Sequence, residues 1–276
     1  MSSPTAPPLD TELAERVLVG FLREESRRAG FGRLVLGLSG GVDSAVAAML
    51  AVRAVGAENL HAIALPARES SSESVEHARL VADAGGFALE VRPIGDAAEA
   101  MLAALGDTTP LRRGNVYARL RMIALFDASA AHGALVVGTS NKTELLLGYG
   151  TLHGDLASAL NPLGDLWKCQ VRDLARHLRV PAVVVDKAPS ADLWPGQTDE
   201  GDLGFTYAEA DAILWRLVDQ RASTAQVLAD GFPEALVRRI QRIVMRTQFK
   251  RRPPMIAKLS ARTIGWEFRY PRDWGT

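Results

Sequence analysis

An open, doubly wound parallel α/β sheet is the fold class this sequence predicts, and two observations predict it. Short apolar runs of strand length alternate with Ala/Leu-rich stretches of helical period from residue 34 to about residue 148. Successive β–α–β units of that kind lay helices on both faces of a parallel sheet. The first run ends in Ser39-Gly-Gly-Val-Asp-Ser44 and restarts at once as a helix, as a strand does at a ligand-facing turn of such a sheet. At 276 residues the chain can bury a core as one large domain.

Each element follows from local pattern. Residues 1–9 are Ser/Thr/Ala/Pro-rich and read as a disordered tail. Leu13, Val17, Leu18, Phe21 and Leu22 recur at helical spacing, so 10–29 is an amphipathic helix ahead of the sheet. A strand at 34–36, the Gly/Ser turn and a helix over 44–55 come next, then a strand at 60–65, a serine cluster and a helix over 74–84. A strand at 87–94 precedes a helix over 97–105, and a helix over 116–131 precedes a strand at 134–138 that opens into Thr139-Ser-Asn-Lys-Thr-Glu144. Beyond Gly148 the texture changes. The stretch 149–165 is rich in Gly, Asp and His without a period, long enough for a structureless connection to suggest a functional loop. Extra helices are expected at 166–178, 207–218 and 234–247, with Pro/Asp/Gly-rich 188–204 between the first two. The domain is read as 10–252 and the C-terminal extension as 253–276.

Composition narrows the chemistry. Basic and acidic residues balance at 32 each, so nothing global points to a nucleic-acid or anionic-membrane partner. Seven basic residues and no acid lie between Arg238 and Arg252. Without interleaved stacking aromatics they read as a solvated helix face with one or two substrate contacts. One cysteine, Cys169, allows neither an internal disulfide nor a multi-cysteine metal site, and the five histidines lack ligand spacing. The longest apolar run, 45–52, is too short to span a bilayer, and the first eight residues have no signal-peptide pattern. A cytoplasmic setting is the expectation.

The turn after the first strand is built for an anion. Gly40 and Gly41 allow a sharp backbone turn that brings N–H groups close to a ligand, Ser39 and Ser44 add hydroxyls, and the helix N-terminus favours negative charge. It is not a Walker A loop, which needs Lys-Ser/Thr after its last glycine. With Asp43 at the lip instead, the segment suits an enzyme whose backbone amides grip a departing pyrophosphate while Asp43 holds its Mg²⁺. The plainer reading is a Gly-containing βα turn with Asp43 as a helix cap. Glu144 likewise reads either as a second Mg²⁺ ligand or as an ordinary first-turn helix acid.

The Ser39–Ser44 pattern resembles the pyrophosphate loop of the ATP pyrophosphatase superfamily, a Rossmann-like, adenine-nucleotide alpha-hydrolase-like fold. Four further stretches narrow the resemblance: Asn115-Val-Tyr-Ala-Arg-Leu-Arg121, Val136-Val-Gly-Thr-Ser-Asn-Lys-Thr-Glu144, Asn161-Pro-Leu-Gly-Asp-Leu-Trp-Lys-Cys-Gln-Val171 and Pro189-Ser-Ala-Asp-Leu-Trp-Pro-Gly-Gln-Thr-Asp-Glu200. In this order they are similar to ammonia-dependent NAD synthetases over about 10–252. The resemblance implies a ligase in which ATP adenylates the nicotinate carboxylate of deamido-NAD and ammonia displaces AMP, the last step of NAD biosynthesis. It implies that Gly37, Leu38, Ser39, Gly40, Gly41, Val42, Asp43 and Ser44 bind ATP, with Thr139, Lys168 and Ser190. It places Mg²⁺ on Asp43 and Glu144, deamido-NAD on Arg119 and Lys250, and a homodimer in the cell. No general acid or base is assigned.

The chain departs from the short-form family in one loop. Leu152 and Ala159 stand where a lysine and an aspartate usually recognise deamido-NAD, and Phe249-Lys250 replaces a His-Lys pair. The stretch Tyr149-Gly-Thr-Leu-His-Gly-Asp155 instead resembles the loop of glutamine-dependent synthetases, although about thirty residues before the first strand leave no room for their glutaminase domain. The expectation is an enzyme using ammonia directly, with His153 and Asp155 as substitute contacts. Two rivals stand beside it: another amidating ATP pyrophosphatase, such as a GMP-synthetase-like domain, and a non-catalytic nucleotide-binding module.

Overall fold

The computed structural model describes residues 6–190, 197–261 and 263. Among these residues a four-stranded parallel sheet forms from β1 (Arg33–Gly37), β2 (Leu60–Ala64), β3 (Leu89–Val91) and β4 (Ala134–Val136), in the order β3-β2-β1-β4. Leu34 pairs with Leu60 on one side and with Leu135 on the other. The chain therefore winds outward from β1 to β3 and returns to β1's other edge at β4. That reversal puts the topological switch point between β1 and β4, where open α/β sheets leave a crevice at their carboxyl ends.

Helices cover both faces, as the alternation predicts. On one face α1 (Thr11–Arg28), α2 (Val42–Val55) and α3 (Ser72–Gly85) pack with the sheet. On the other lie α4 (Gly95–Leu105) and α5 (Pro110–His132), whose Leu102, Tyr117 and Ala128 meet Val35, Ile63 and Val136. Helix α2 is apolar around nearly its whole circumference because it is covered on every side, by the sheet beneath and by α1 and later helices above. Its alanines let the neighbours approach closely, and Leu50 and Ala45 to Ala48 are fully buried.

Several boundaries move for identifiable reasons. Helix α5 starts at Pro110, six residues before the expected 116, because Thr109 accepts the Arg112 N–H at 3.4 Å and Pro110 fills the first helical position. Regular pairing of β3 covers only Leu89–Val91 of the expected 87–94. Pro93 has no N–H to give a ladder there, although Arg92 and Ile94 still donate to Ala64 O and Pro66 O. The final expected strand stops at Val136, after which Gly138 N–H donates to Leu160 O at 2.7 Å. The loop over 149–165 is thus stitched back to the strand end. The tail expected at 1–9 meets the core at its inner end, where Pro7 O accepts from Gln170 and Leu9 packs on the main core.

Further helices follow, most of which contribute to a second apolar cluster. They are α6 (Lys142–Leu147), α7 (Lys168–His177), α8 (Ala182–Val185), α9 (Asp199–Leu203), α10 (Tyr207–Leu214), α11 (Thr224–Ala229) and α12 (Glu234–Arg246). Trp167, Tyr207, Ile213, Val237 and Ile240 are its buried centre. Helix α10 passes into a π-turn over Trp215–Asp219, ending the α-helix short of the expected 218. Helix α7 faces both clusters, with Val171 and Leu174 in the first and Cys169, close to the preceding Trp167, at the second, while α8 places Val184 and Val185 in the first.

Candidate active site

A cavity of about 930 Å³ opens at the switch point, near the upper end of the range for small-molecule sites, roughly 300–1,000 Å³. Its wall is drawn from the turns after β1, β2 and β4, from α5, from the loop over 148–157, and from Lys168, Ser190 and Lys250. Gly37, Leu38, Ser39, Gly41, Val42, Asp43, Ser44, Thr139, Glu144, Arg119 and Asp155 all line it. Gly40 and His153 do not. Gly40 is instead a backbone requirement of the turn. It sits at φ +79, and a Cβ there would lie 2.2 Å from Ser74 O at the start of α3. His153 is exposed, at φ 59.

The turn after β1 is internally bonded. Ser44 Oγ donates to Gly41 O at 2.9 Å and lies 3.0 Å from Ser39 Oγ, and Ser39 N–H donates to Ser44 Oγ at 3.2 Å. These bonds hold the two glycines in place so that the α2 N-terminus faces the cavity, an arrangement suited to anionic oxygens.

Opposite it, α6 begins with a reciprocal cap. Glu144 N–H donates to Asn141 Oδ1 at 3.0 Å, and Asn141 N–H donates to Glu144 Oε2 at 3.2 Å. Asn141 also reaches across the switch point, its Nδ2 donating to Asp43 Oδ1 at 2.8 Å. Asn141 is not among the site residues the sequence reading assigns, but its Asn-x-x-Glu spacing is that of a capping box.

Lys168, the first residue of α7, joins the two acids. Its Nζ donates to Asp43 Oδ2 at 2.5 Å and to Glu144 Oε1 at 2.9 Å, with its side chain 3% exposed. The Tyr207 ring lies 4.9 Å from the same ammonium, adding a cation–π contact. Two carboxylates around one ammonium leave a net negative charge. Burial, and then the neighbouring Asp43, push the Glu144 carboxyl up to about 7 against the pull of Lys168. Burial by itself would lower the Lys168 ammonium, but the paired acids outweigh it and hold it above its ordinary value. Two oxygen donors gathered by one cation fit a divalent ion with oxygen preference. Among the described residues no group of three or more His, Cys, Asp or Glu is placed to hold a metal, so substrate oxygens or water would have to complete such a shell.

Further cationic groups stand on the other side. Lys250 Nζ donates to Gly148 O and Gly150 O at 2.8 and 2.7 Å, and Arg119 Nη2 donates to Leu152 O at 3.2 Å. Both therefore hold the loop through its carbonyls. Thr151 braces the same loop, its Oγ1 donating to Asn115 at 2.9 Å and its N–H to Asp155 at 2.8 Å. Cys169 is no nucleophile in this setting: burial, and then the Asp211 charge beside it, push its thiol up to about 12. Of the quoted stretch 189–200, residues 191–196 lie outside the described residues.

Residues 14–254 match the NAD synthase family. The chain is similar to an NH₃-dependent NAD⁺ synthetase of Chlorobium phaeovibrioides (strain DSM 265 / 1930), 55% identical over 266 residues that cover 96% of each chain. Among solved structures it is similar to the NH₃-dependent NAD synthetase from Campylobacter jejuni subsp. jejuni NCTC 11168 in complex with the nitrate ion, with TM-score 0.78 and 31% identity over 91% of this chain and 100% of that one. It is also similar to an NMN synthetase from Francisella tularensis, with TM-score 0.79 and 33% identity over 90% and 99% of the two chains.

Proposed function

The chain belongs to the NAD synthase family, and we propose a division of labour at its switch-point cavity for the family's ammonia-dependent, AMP-forming reaction. The nicotinate carboxylate of deamido-NAD attacks the α-phosphorus of ATP, the α–β bond breaks, and pyrophosphate leaves. Ammonia then attacks the acyl carbon, AMP departs, one proton is released and NAD remains. The first step needs no general base, since the attacking carboxylate is already ionised at neutral pH.

The observation that carries this reading is the joining of Asp43, Glu144 and Lys168 from three separate elements beside the amide-lined turn of Ser39 to Ser44. Adenylyl transfer gathers negative charge on phosphate oxygens, so positioned cations and amide dipoles supply the catalysis. The turn from Gly37 to Ser44 would receive the pyrophosphate end of ATP, with Thr139 and Ser190 on the nucleotide. Asp43 and Glu144 would hold Mg²⁺, which when bound would offset phosphate charge. Lys168 keeps the two acids compatible in the free protein and presents a cation to the phosphates during turnover. Arg119 and Lys250 would orient deamido-NAD against the loop over 148–157. Of the two proposed substitute contacts in that loop, Asp155 lines the cavity, and His153, which does not, is the weaker.

A homodimer in the cytoplasm belongs to the same proposal. Among the described residues no helix is long and apolar enough to cross a membrane. The test is pyrophosphate release from ATP and Mg²⁺ with ammonium, offering deamido-NAD, deamido-NMN and xanthosine monophosphate in turn. Release stimulated by deamido-NAD is the expected result. Stimulation by either other acceptor in its place would reassign the substrate, and release with glutamine as good as with ammonium would overturn direct ammonia use.

A further inference from the structure

Helix α7 delivers Lys168 as its first residue, and its leading N–H groups need partners because no earlier helical turn exists to accept them. Three of them have one within the protein. Trp167 N–H donates to Gln170 Oε1 at 3.0 Å, Lys168 N–H to Thr143 Oγ1 at 3.1 Å, and Cys169 N–H to Asp211 Oδ2 at 2.9 Å. The hydroxyl of Thr143 in turn donates to Asp211 Oδ1 at 2.5 Å. Asp211 is 1% exposed and Thr143 fully buried. One buried carboxylate on α10 is therefore bonded to the residue before Glu144 and to the residue after Lys168.

No step of the reaction uses Asp211, and it does not line the cavity. A buried acid is costly to keep unless its bonds matter. Four residues before it, one turn earlier on the same helix face, stands Tyr207, whose ring lies against the Lys168 ammonium. Helix α10 thus supports Lys168 twice, by a ring beside its charge and by a carboxylate beneath its backbone.

We propose that Asp211 is a positioning residue for the reaction, setting the placement of Glu144 relative to Lys168 through Thr143 Oγ1 and the Cys169 N–H. The inference rests on the roles given above to Glu144 and Lys168. Side chains that act on developing charge lose about 100-fold in rate when displaced by about 1 Å. The backbone at 143 and 168–169 is the lever that would displace them.

The decisive variants are Asp211→Asn, Thr143→Val and Thr143→Ser, compared in kcat and in KM for each substrate. Asn keeps the shape of Asp but must turn its NH₂ toward either Thr143 or the Cys169 N–H, so one of the two links weakens. Asp211→Asn and Thr143→Val are each expected to lower kcat about 100-fold and to raise KM for ATP while leaving KM for deamido-NAD unchanged. Thr143→Ser, which keeps the hydroxyl, is expected to restore most of the rate. In a Glu144→Gln background the added Asp211→Asn change is expected to cost less than about threefold, the non-additivity of residues acting as one unit. The inference falls if folded Asp211→Asn and Thr143→Val proteins keep wild-type constants. It falls equally if KM rises alike for both substrates, if Ser fails to rescue, if the two changes multiply, or if neither variant folds. Glu144→Gln and Lys168→Met proteins that retain wild-type turnover would sink the underlying reading instead.

Discussion

The two sides of the cavity handle charge in opposite ways. At the switch point, Asp43, Glu144 and Lys168 satisfy one another across three elements, with side chains 17%, 14% and 3% exposed. On the acceptor side, Lys250 and Arg119 donate to main-chain carbonyls of the loop over 148–157, while Asp155, the nearby acid, accepts from the Thr151 N–H. A charge held by a charge deep in protein is costly to disturb, whereas a cation held by neutral carbonyls can exchange them for an anionic substrate group. The difference separates a pre-assembled cluster of buried charges, the proposed catalytic one, from a surface whose cations remain available, the proposed recognition one.

The strongest way to break that contrast is Lys168→Met. Removing the shared cation leaves two uncompensated acids facing each other, and the expected loss of stability in urea is about 3–5 kcal/mol together with loss of turnover. A variant as stable as wild type would show that the acids are better solvated than their burial implies. Next in size, Asp43→Asn and Glu144→Gln are expected to lower kcat by about 10²–10³-fold with the circular-dichroism spectrum unchanged. Activity surviving either change across a range of Mg²⁺ concentrations would remove that residue from the metal site.

On the acceptor side the expected effects are smaller and of a different kind. Lys250→Met is expected to raise KM for deamido-NAD about tenfold, the loss of one charge-assisted contact, with KM for ATP little changed. If both constants rise together, the loop serves both substrates and the contrast between the two sides dissolves.

The smallest prediction lies away from both. His61 on β2 stacks on His132 at the end of α5, with ring centroids 4.0 Å apart. Burial, then the charges of His132 and Arg33, lower the His61 pKa below its ordinary 6.5. The unfolded chain therefore takes up this proton at a higher pH than the folded one, and stability falls as pH drops through 6.5 toward the lowered folded value. The difference in melting temperature between wild type and His61→Gln is expected to shrink or reverse between pH 8 and pH 5.5. A constant difference would refute it.

Much of the scaffold could be read from the chain. The strand–helix alternation held because strands of a parallel sheet are buried on both faces and read as apolar runs, as 34–36 does, while covered helices such as α2 keep a dense apolar content. The Gly-Gly turn could be read because few backbones other than glycine's adopt the φ +79 that Gly40 requires. The extent of helix α6 is not legible because six residues are too few for a period, although Glu144 as a first-turn acid marks its start. The loop over 149–165 read as structureless because Leu160 is paired with a strand end and Thr151 with α5, neither of them a neighbour in sequence.

Local chemistry, then, was enough to specify the fold class and the glycine turn after the first strand, because periodicity, capping and glycine's freedom act over a few residues and leave their mark there. The joining of Asp43, Glu144 and Lys168 into one charged cluster, and the support of that cluster by Asp211 from 42 residues beyond Cys169, came only with packing. Burial and electrostatic coupling depend on which helix lies against which, and no short window of sequence carries that information.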